Sequence, residues 1–329
     1  MSPWKKLRYG LERAGVEFLA GFIPRLSRRS CVRLSALCGE IACALDRRGR
    51  AVALSNLACV FGDRFTSRER ARIVRASYRN FARSMLDLFW ARSLTPTNYR
   101  DHMRLEGFEE FRERHERSAA GSIGICVHMG NWEWGSLALG FAGIPALIVT
   151  ENFKNPLLTE VFNRQREVSG HTMIPQENSM LRLLKAVRRG RATAMLLDLN
   201  VHPTQAATIV DAFGLKMCVT VLHAVLAERA GTLLVPFESV PLADGTCRII
   251  AHPPLGFPAG ASRHEIAQRC WDFFQPILRA HPEKWLWSYK HFRHRPRDAD
   301  RPYPSYANDA PDFEKLVRKV KHEQAAPDP

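Results

Sequence analysis

A histidine and a glutamate in one short segment, His128 and Glu133, are the residues of this sequence best suited to acid–base chemistry. The segment follows an apolar run typical of a strand and opens a helical pattern, which places His128 at the carboxyl end of a strand, where open α/β sheets bind ligands. Glu133 falls about one turn into the helix, close enough to reach back toward the imidazole. A carboxylate that accepts a hydrogen bond from one ring nitrogen raises the basicity of the other. We therefore expect His128 to act as a general base oriented by Glu133, removing a proton from a hydroxyl that attacks a carbonyl.

The residues between this pair are candidates for substrate binding. Gly130 permits close approach of the backbone, and amides at the start of a helix, such as that of Asn131, bind anions and can stabilise a developing negative charge. The alternative interpretation is a core histidine at a strand end beside an unrelated surface glutamate. The complete segment 128–133 in a strand-to-helix context favours the catalytic interpretation.

Short apolar runs alternate with helical patterns from about residue 121, and this alternation predicts an α/β fold. The predicted strands are 122–127, 146–150, 192–197, 233–238 and 246–251. The predicted helices are 132–141, 156–169, 180–189, 219–230 and 262–280. We expect an αβα sandwich with a mainly parallel central sheet, preceded by an N-terminal basic amphipathic helical region.

The first part of the chain has apolar residues spaced three to four apart among many arginines, as amphipathic helices require. One such helix is predicted to begin at Thr66, where Glu69 completes a capping box. We therefore expect an N-terminal helical, membrane-associating region (1–110), a catalytic α/β domain (111–297) and a basic C-terminal tail (298–329). A helix around 313–322 in the tail is expected to be loosely held.

The charge balance indicates an anionic partner. The chain has 48 Lys and Arg against 33 Asp and Glu, a net charge of +15, which suits nucleic acid, an acidic membrane surface or an acidic ligand. Its ordinary hydrophobic content excludes a wholly disordered, collagen-like or polytopic membrane protein. The sequence has no run of about 18 uncharged apolar residues, so we expect a membrane-bound form to lie on the surface. It also has no recognised nucleic-acid motif, so nucleic acid is not an expected partner.

The eight cysteines include no CxxC pair and mostly lie in apolar stretches. This pattern predicts reduced, buried thiols in a cytosolic compartment rather than disulfides or a zinc site. The histidines outside the 128–133 segment show no metal-ligand spacing, so neither a metal nor another cofactor is expected.

The segment HMGNWE at 128–133 resembles the HFGNWE block of the bacterial lipid A biosynthesis acyltransferases. These are the lauroyl/myristoyl transferases of the wider lysophospholipid acyltransferase superfamily, whose signature is His-x4-Asp/Glu. Further segments resemble this family in the same order, from roughly residue 15 to 297. They are Asn56-Leu57 with Phe61, Asn155-Pro156-Leu157, Arg164-Gln165-Arg166, 184–190, Leu197-Asp198, 227–231 with 235–237, and 282–287 with 290–293.

The resemblance implies an acyltransferase that moves a fatty acyl group from a thioester to a hydroxyl of a lipid acceptor, such as a lipid A precursor or a lysophospholipid. It implies that His128 is the general base and that Glu133 orients it. The donor is acyl carrier protein or acyl-CoA, and the acidic carrier protein suits a basic surface better. The expected location is the cytoplasmic face of the bacterial inner membrane, as a peripheral or monotopic enzyme on an anionic surface.

Three charged residues carry over as candidates for substrate binding. Arg164 and Arg166 suit an anionic head group or phosphate, and a solvated helix face is the alternative. Asp198 is predicted at a strand end, where it can pair with one of these arginines in a catalytic or a structural role.

Two positions depart from the family pattern, because Asn200 replaces a frequent second acid and Asp211 replaces an expected apolar residue. We therefore expect the acceptor side of the site to differ from that of the lipid A enzymes. Trp285 and Trp287 are predicted to line an acyl channel or a membrane interface, with core packing as the alternative. A non-catalytic lipid- or nucleic-acid-binding protein is the competing hypothesis, and the intact His128–Glu133 pair argues against it.

Overall fold

Helices form the N-terminal part of the chain, as the arginine-rich amphipathic pattern predicts. In the computed structural model, which describes residues 2–325, they are α1 (Pro3–Phe22), α2 (Arg28–Leu45), α3 (Arg47–Phe61) and α4 (Ser67–Trp90). The predicted capping box opens α4. Thr66 Oγ1 accepts a hydrogen bond from the Glu69 amide, and Glu69 Oε2 accepts one from the Thr66 amide.

α2 and α4 approach each other at a point that only glycine permits. An ideal Cβ on Gly39 of α2 would lie 2.5 Å from the Cα of Arg79 on α4, well inside the contact distance of two carbon atoms. Beside this contact, Glu40 forms ion pairs with Arg75 and Arg79. Gly39 therefore sets how closely the two helices pack.

A seven-stranded sheet forms the centre of the described range, residues 2–325. The strands of this sheet and of two small two-stranded sheets are numbered together in chain order. They are β1 (Met103–Glu106), β2 (Ser122–Cys126), β3 (Ala146–Thr150), β4 (Thr172–Pro175), β5 (Ala192–Leu196), β6 (Ala207–Ala212), β7 (Leu215–Thr220), β8 (Leu233–Pro241), β9 (Cys247–Ala251), β10 (His294–Arg295) and β11 (Asn308–Asp309). The order in the central sheet is β1-β9-β8-β2-β5-β3-β4. Neighbouring strands in it are parallel, except that β8 and β9 are antiparallel.

The remaining helices connect the strands and cover the central sheet, except for the last one, which packs on a separate hairpin. They are α5 (Phe108–Arg117), α6 (Trp132–Phe141), α7 (Pro156–Arg166), α8 (Ser179–Arg188), α9 (Leu222–Ala230), α10 (Arg263–Ala280) and α11 (Pro311–Ala325). One apolar cluster joins the sheet to α3, α8, α9 and α10, and a second joins it to α4, α5 and α6. The predicted α/β class, mainly parallel sheet and N-terminal helical region are confirmed.

Several strands were not predicted, and one predicted helix begins too early. β6 and β7 form an antiparallel hairpin outside the central sheet. Val219, predicted to start a helix, pairs with Thr208 in this hairpin, and α9 begins at Leu222. The β-branched Val219, Thr220 and Val221 fit a strand better than a helix start.

The C-terminal helix is packed rather than loosely held. Phe313 of α11 is fully buried and forms a cluster with Val317, Val320 and two hairpin residues, Ile209 and Cys218. Burial of this face attaches the tail to the rest of the protein. Residue 1 of the predicted N-terminal region and residues 326–329 of the predicted C-terminal tail lie outside the described part of the chain.

Residues of the N-terminal region and of the α/β region share the same apolar clusters, for example Leu88 of α4 with Trp134 of α6. The three-part division of the chain remains a prediction. Within residues 2–325, no helix combines the length and the apolar character that crossing a bilayer requires. α1 nevertheless exposes a stripe of large apolar side chains, namely Trp4, Leu7, Leu11, Phe18 and Phe22.

The eight cysteines are free thiols, as predicted. Five are buried, and Cys38, Cys59 and Cys126 are partly exposed. Burial raises the pKa of the buried Cys31 thiol to about 12 and that of Cys218 to about 12, so these two thiols remain protonated and unreactive near neutral pH.

Replacing Gly39 with alanine should destabilise the protein. The new methyl group would meet the backbone of α4, and overpacking of this kind costs about 1–3 kcal/mol. Gly10→Ala on α1 is the matched control, because a Cβ there meets nothing within 4 Å and alanine favours a helix by up to about 1 kcal/mol. Urea denaturation gives both free energies of unfolding. Equal stability of the two variants would contradict the close packing at Gly39.

Candidate active site

Strand register brings His128 and Asp198 together. β2 and β5 are parallel neighbours in which Cys126 is opposite Leu196, and each of the two residues follows its strand's last residue by two positions. His128 Nδ1 and Asp198 Oδ1 are 2.9 Å apart, and the His128 amide donates to Asp198 Oδ2 at 3.0 Å. Asp198 therefore holds both the ring and the backbone of His128.

Asp198 is a buried carboxylate with matching donors. Its Oδ2 also accepts a hydrogen bond from Trp285 Nε1 at 2.7 Å, and the residue is fully buried. Burial alone raises the pKa of a carboxyl, but His128 and the Trp285 N–H outweigh it and hold the pKa of Asp198 at about 2. The side chain is thus ionised at neutral pH and accepts the Nδ1 proton of His128, which leaves Nε2 as the basic nitrogen.

The His128 side chain is mostly buried but remains partly accessible to solvent. The His128 side chain is 16% exposed, and its ring lies 5.2 Å from that of Trp132, edge to face. Within the described residues Nε2 makes no hydrogen bond. It can therefore accept a proton from a bound hydroxyl.

Glu133 does not orient His128, so this prediction is wrong. Its Oε1 accepts from Arg166 Nη2 at 2.6 Å and its Oε2 accepts from Arg166 Nε at 3.0 Å. Glu133 lies in the first turn of α6, where it pairs with Arg166 at the end of α7, whereas the end of β5 is adjacent to the end of β2. Asp198, at the end of β5, therefore lies beside the imidazole at the place where Glu133 was expected.

The predicted pairing of Asp198 with an arginine is also wrong. Arg166 is paired with Glu133, and Arg164 with Glu17 of α1. Burial lowers the pKa of a guanidinium, but the Glu133 carboxylate outweighs this and raises the pKa of Arg166. Arg164 is about half exposed, whereas the Glu133–Arg166 pair is largely buried.

Gly130 and Asn131 shape the turn after His128 rather than offering their amides to a ligand. The Gly130 amide donates to Lys284 O at 3.0 Å and the Asn131 amide to Ser239 O at 3.4 Å. These two amides are therefore already paired within the protein, and an anion site at the start of α6 stays a prediction. Gly130 has a φ of +60°, and an ideal Cβ there would lie 1.7 Å from Ser239 O, so no other residue fits.

A second buried carboxylate, which the sequence did not reveal, fixes this turn. Asn131 caps α6 by accepting from the Trp134 amide at 3.1 Å and donates its Nδ2 to Asp87 Oδ2 at 2.7 Å. Asp87 of α4 is fully buried and also accepts from Arg28 Nη2 at 2.8 Å. The Arg28 guanidinium lies over the Trp134 ring, 4.6 Å from its centroid. α2, α4 and α6 are thus joined at one anion.

Other residues of α4 reach the same turn and were also missed. Asn80 Nδ2 and Ser84 Oγ donate to Gly130 O at 2.9 and 2.8 Å. One signal for these residues was present in the sequence: polar side chains on the inner face of an amphipathic helix. The helical pattern alone does not indicate which residues they contact.

The two tryptophans of the 282–287 segment are core residues. Both Trp285 and Trp287 are fully buried and their rings contact each other, so the interpretation as core packing is correct. Asn56, from a family-like segment of α3, donates to Trp287 O at 2.8 Å and Tyr289 O at 2.9 Å. The segment that supplies Trp285 to Asp198 is therefore held by the N-terminal helices.

Comparison with known proteins agrees with the order of these motifs. The family model described as bacterial lipid A biosynthesis acyltransferase matches residues 4–294, nearly the whole described chain. No individually curated protein matches the chain in sequence. The resemblance noted in the sequence is confirmed by this family match.

Replacing Asp87 with alanine should lower the free energy of unfolding by about 3–5 kcal/mol, because it leaves the Arg28 charge buried without its partner. The matched control is Glu40→Ala, which removes another carboxylate between α2 and α4 that binds two arginines about half exposed to solvent. Exposed ion pairs contribute less than about 1 kcal/mol. Urea denaturation measures both, and a loss at Asp87 no larger than at Glu40 would show that the buried network is not needed for stability.

Proposed function

Because the chain belongs to the bacterial lipid A biosynthesis acyltransferase family, we propose that it transfers a fatty acyl group from an acyl thioester to a hydroxyl of a lipid acceptor. The family is one of acyltransferases. The thioester donor, the hydroxyl acceptor and the base are parts of the proposal. The observation that carries it is the hydrogen bond of His128 Nδ1 to the buried Asp198 carboxylate, which leaves Nε2 free to act as a base.

The reaction proceeds by general-base catalysis. His128 Nε2 takes the proton of the acceptor hydroxyl as its oxygen attacks the thioester carbonyl carbon. The resulting imidazolium is stabilised by the Asp198 anion, 2.9 Å from Nδ1. When the tetrahedral intermediate collapses, the C–S bond breaks and the sulfur leaves with the proton from Nε2. The products are an ester and a free thiol, and His128 is restored.

Arg166 and Arg164 are proposed to bind the anionic part of a substrate. Glu133 occupies Nε and Nη2 of Arg166, and the remaining Nη1 group can donate to a phosphate or carboxylate. Arg164 is half exposed and paired only at the surface, with Glu17. A phosphate could displace that carboxylate at little cost because exposed ion pairs are weak.

α1 is proposed to place the enzyme on an anionic membrane surface. Its outer face carries the apolar stripe of Trp4, Leu7, Leu11, Phe18 and Phe22, and the same helix carries Lys5, Lys6, Arg8 and Arg13. Apolar insertion combined with basic residues favours anionic lipids. The proposed location is the cytoplasmic face of the bacterial inner membrane. The proposed donor is acyl carrier protein, whose acidic surface suits a +15 chain, and acyl-CoA is the alternative.

Substitutions at the dyad test the mechanism. His128→Ala and Asp198→Asn should each lower kcat by roughly 10²–10⁴-fold, because the first removes the base and the second removes the anion that orients it. Glu133→Gln should keep the pH dependence of the wild type, since the Glu133 carboxylate hydrogen-bonds Arg166 and the imidazole is paired with Asp198. Acyl transfer from acyl carrier protein or acyl-CoA to the lipids of a bacterial membrane extract is followed by mass spectrometry.

Asp244→Asn serves as the control for the dyad variants, because this carboxylate is 49% exposed and pairs with Arg104 at the surface. Equal activity of His128→Ala and the wild type would exclude the proposed base. Full activity of Asp198→Asn together with a changed pH profile of Glu133→Gln would assign the orienting role to Glu133 instead.

Membrane association is tested by sedimentation with lipid vesicles. Binding should require phosphatidylglycerol, weaken with added salt, and fall at least tenfold in a Trp4→Ser/Phe18→Ser variant, because burying each large apolar side chain contributes about 1.5–3 kcal/mol. Leu181 on α8 is about as exposed as Trp4 and Phe18, and its replacement by serine should leave vesicle binding unchanged. Equal loss in both variants, or tight binding to duplex DNA in place of vesicles, would count against the proposed surface.

A further inference from the structure

Three arginines from distant parts of the chain lie around two neighbouring aromatic rings. Arg64 ends the 3₁₀ turn that follows α3, Arg279 lies in the last turn of α10, and Arg301 follows β10. The Arg279 guanidinium lies 5.0 Å from the centre of the Phe213 ring, and Arg301 Nη1 donates to Phe213 O at 2.7 Å. The Arg64 guanidinium lies 5.7 Å from the centre of the Phe61 ring, which is 6.3 Å from that of Phe213. These three residues are called the arginine cluster below.

No carboxylate is paired with the arginine cluster. Within residues 2–325, none of the three forms an ion pair, and the Arg64 and Arg279 side chains donate no hydrogen bond. Asp63 and Asp300, their acidic neighbours in sequence, form no ion pair in that range either. Burial, together with the charges of Arg301 and Arg64, lowers the pKa of Arg279. The cluster is therefore a concentration of positive charge whose members repel one another.

The backbone, rather than an acid, holds Arg301 in this position. Besides its bond to Phe213 O, it donates from Nη2 to Cys59 O at 3.2 Å. An ideal Cβ on Gly214 would lie 2.3 Å from Arg301 Nη1, so glycine leaves the space that the guanidinium occupies. A guanidinium has five N–H donors, and these two bonds use one on Nη1 and one on Nη2. The remaining donors of a fixed side chain are thus available to a ligand.

Ordinary structural roles account for single members of the cluster but not for their proximity. A cation in the last turn of a helix, such as Arg279 on α10, interacts favourably with the helix dipole. A guanidinium over an aromatic ring, as at Phe213 and Phe61, gains a cation–π interaction. Neither effect favours bringing the three charges close to one another, whereas a bound anion does.

The cluster is separate from the proposed catalytic dyad. Within the described residues, no hydrogen bond, ion pair or ring contact joins the cluster to His128 or Asp198. The Phe213 ring packs 5.7 Å from the ring of Trp285, which donates to Asp198. Two fully buried aromatic side chains, Phe213 and Trp285, thus connect the cluster to the dyad.

We propose that the arginine cluster binds a phosphomonoester group. The inference goes beyond acyl transfer and does not depend on it. A phosphomonoester carries close to two negative charges and three acceptor oxygens, one for each guanidinium, and guanidinium–phosphate hydrogen bonds are strengthened by both charges. A phosphodiester or a carboxylate carries a single charge and two such oxygens, so both should bind more weakly.

Titration with inorganic phosphate measures this site directly. Isothermal titration calorimetry of the full-length protein is done at about pH 8, where phosphate is a dianion, with the ionic strength held constant by sodium chloride. Arg64→Gln and Arg279→Gln should each weaken the affinity at least about tenfold, because a hydrogen bond between charged groups is lost. Arg279→Lys should lose less, since it keeps the charge but not the planar fork.

Arg263→Gln is the matched control. Arg263 lies at the other end of α10 and is paired with Glu228, so its replacement also removes one positive charge but should leave the affinity for phosphate unchanged. Arg164→Gln tests the other anion site proposed above. Equal losses in Arg263→Gln and Arg279→Gln, a loss confined to Arg164→Gln, or no binding of phosphate by the wild type would overturn the inference.

Thermal denaturation provides a measurement that does not depend on the basal stability of each variant. A ligand that binds the folded state raises Tm, so phosphate should raise the Tm of the wild type above its value in chloride of the same ionic strength. This rise should be lost in Arg279→Gln, whatever the Tm of that variant without phosphate. An equal rise in both proteins would count against the cluster.

Sedimentation with vesicles identifies the source of the phosphate. Phosphatidic acid carries a phosphomonoester and phosphatidylglycerol a phosphodiester. If the ligand is a lipid head group, the double variant Arg64→Gln/Arg279→Gln should bind phosphatidic acid vesicles more weakly than the wild type and phosphatidylglycerol vesicles equally well. Loss of inorganic phosphate binding with unchanged binding to both vesicles would assign the cluster to a soluble phosphomonoester.

Discussion

A carboxylate buried without solvent must be matched by donors, and the position of Asp198 imposes this requirement on three parts of the chain. β5 carries the acid, β2 delivers His128 to it through the register of two parallel strands, and the segment after α10 brings the indole of Trp285. Any shift of one part leaves a charge without its partners, which is strongly unfavourable. The position of His128 is therefore set by the need of the buried Asp198 carboxylate for hydrogen-bond donors from the protein.

Asp87 repeats this arrangement on the other side of the His128 turn. It joins Arg28 of α2 to Asn131 at the start of α6, and the neighbouring Ser84 holds the carbonyl of Gly130. The N-terminal helices are thus more than an attachment to a separate catalytic domain. They supply the side chains that fix the turn on which the proposed chemistry depends.

Local patterns were sufficient to predict most of the fold. Alternating apolar runs and helical spacing identified five strands of the central sheet, and the Thr66–Glu69 capping box marked the start of α4 correctly. Two of the missed strands, β1 and β4, lie at the sheet edges and are only four residues long, and β6 and β7 form a separate hairpin. The four residues of β1 and of β4 are too few for a clear alternation, whereas β6 and β7, with six residues each, were missed although they are long enough to show one.

The candidate site was predicted only in part. Its members are distant in sequence, so their contacts were not foreseen. His128 and Asp198 were each singled out, but their contact depends on which strands are neighbours, and sequence spacing favoured Glu133, five residues away. Asp87 and Arg28 had no motif at all. Long-range pairing of buried charges is set by topology, which a single sequence does not display.

α1 has two faces with different partners. Its outer stripe is apolar, while its inner face accepts a hydrogen bond from Asn155 at the backbone carbonyl of Tyr9, and Glu17 pairs with Arg164. Asn155 caps α7, the helix that brings Arg166 to Glu133. Deleting α1 to obtain a more soluble protein would therefore also remove the support of α7. A soluble form that preserves the site should keep the helix and exchange only its outward-facing side chains.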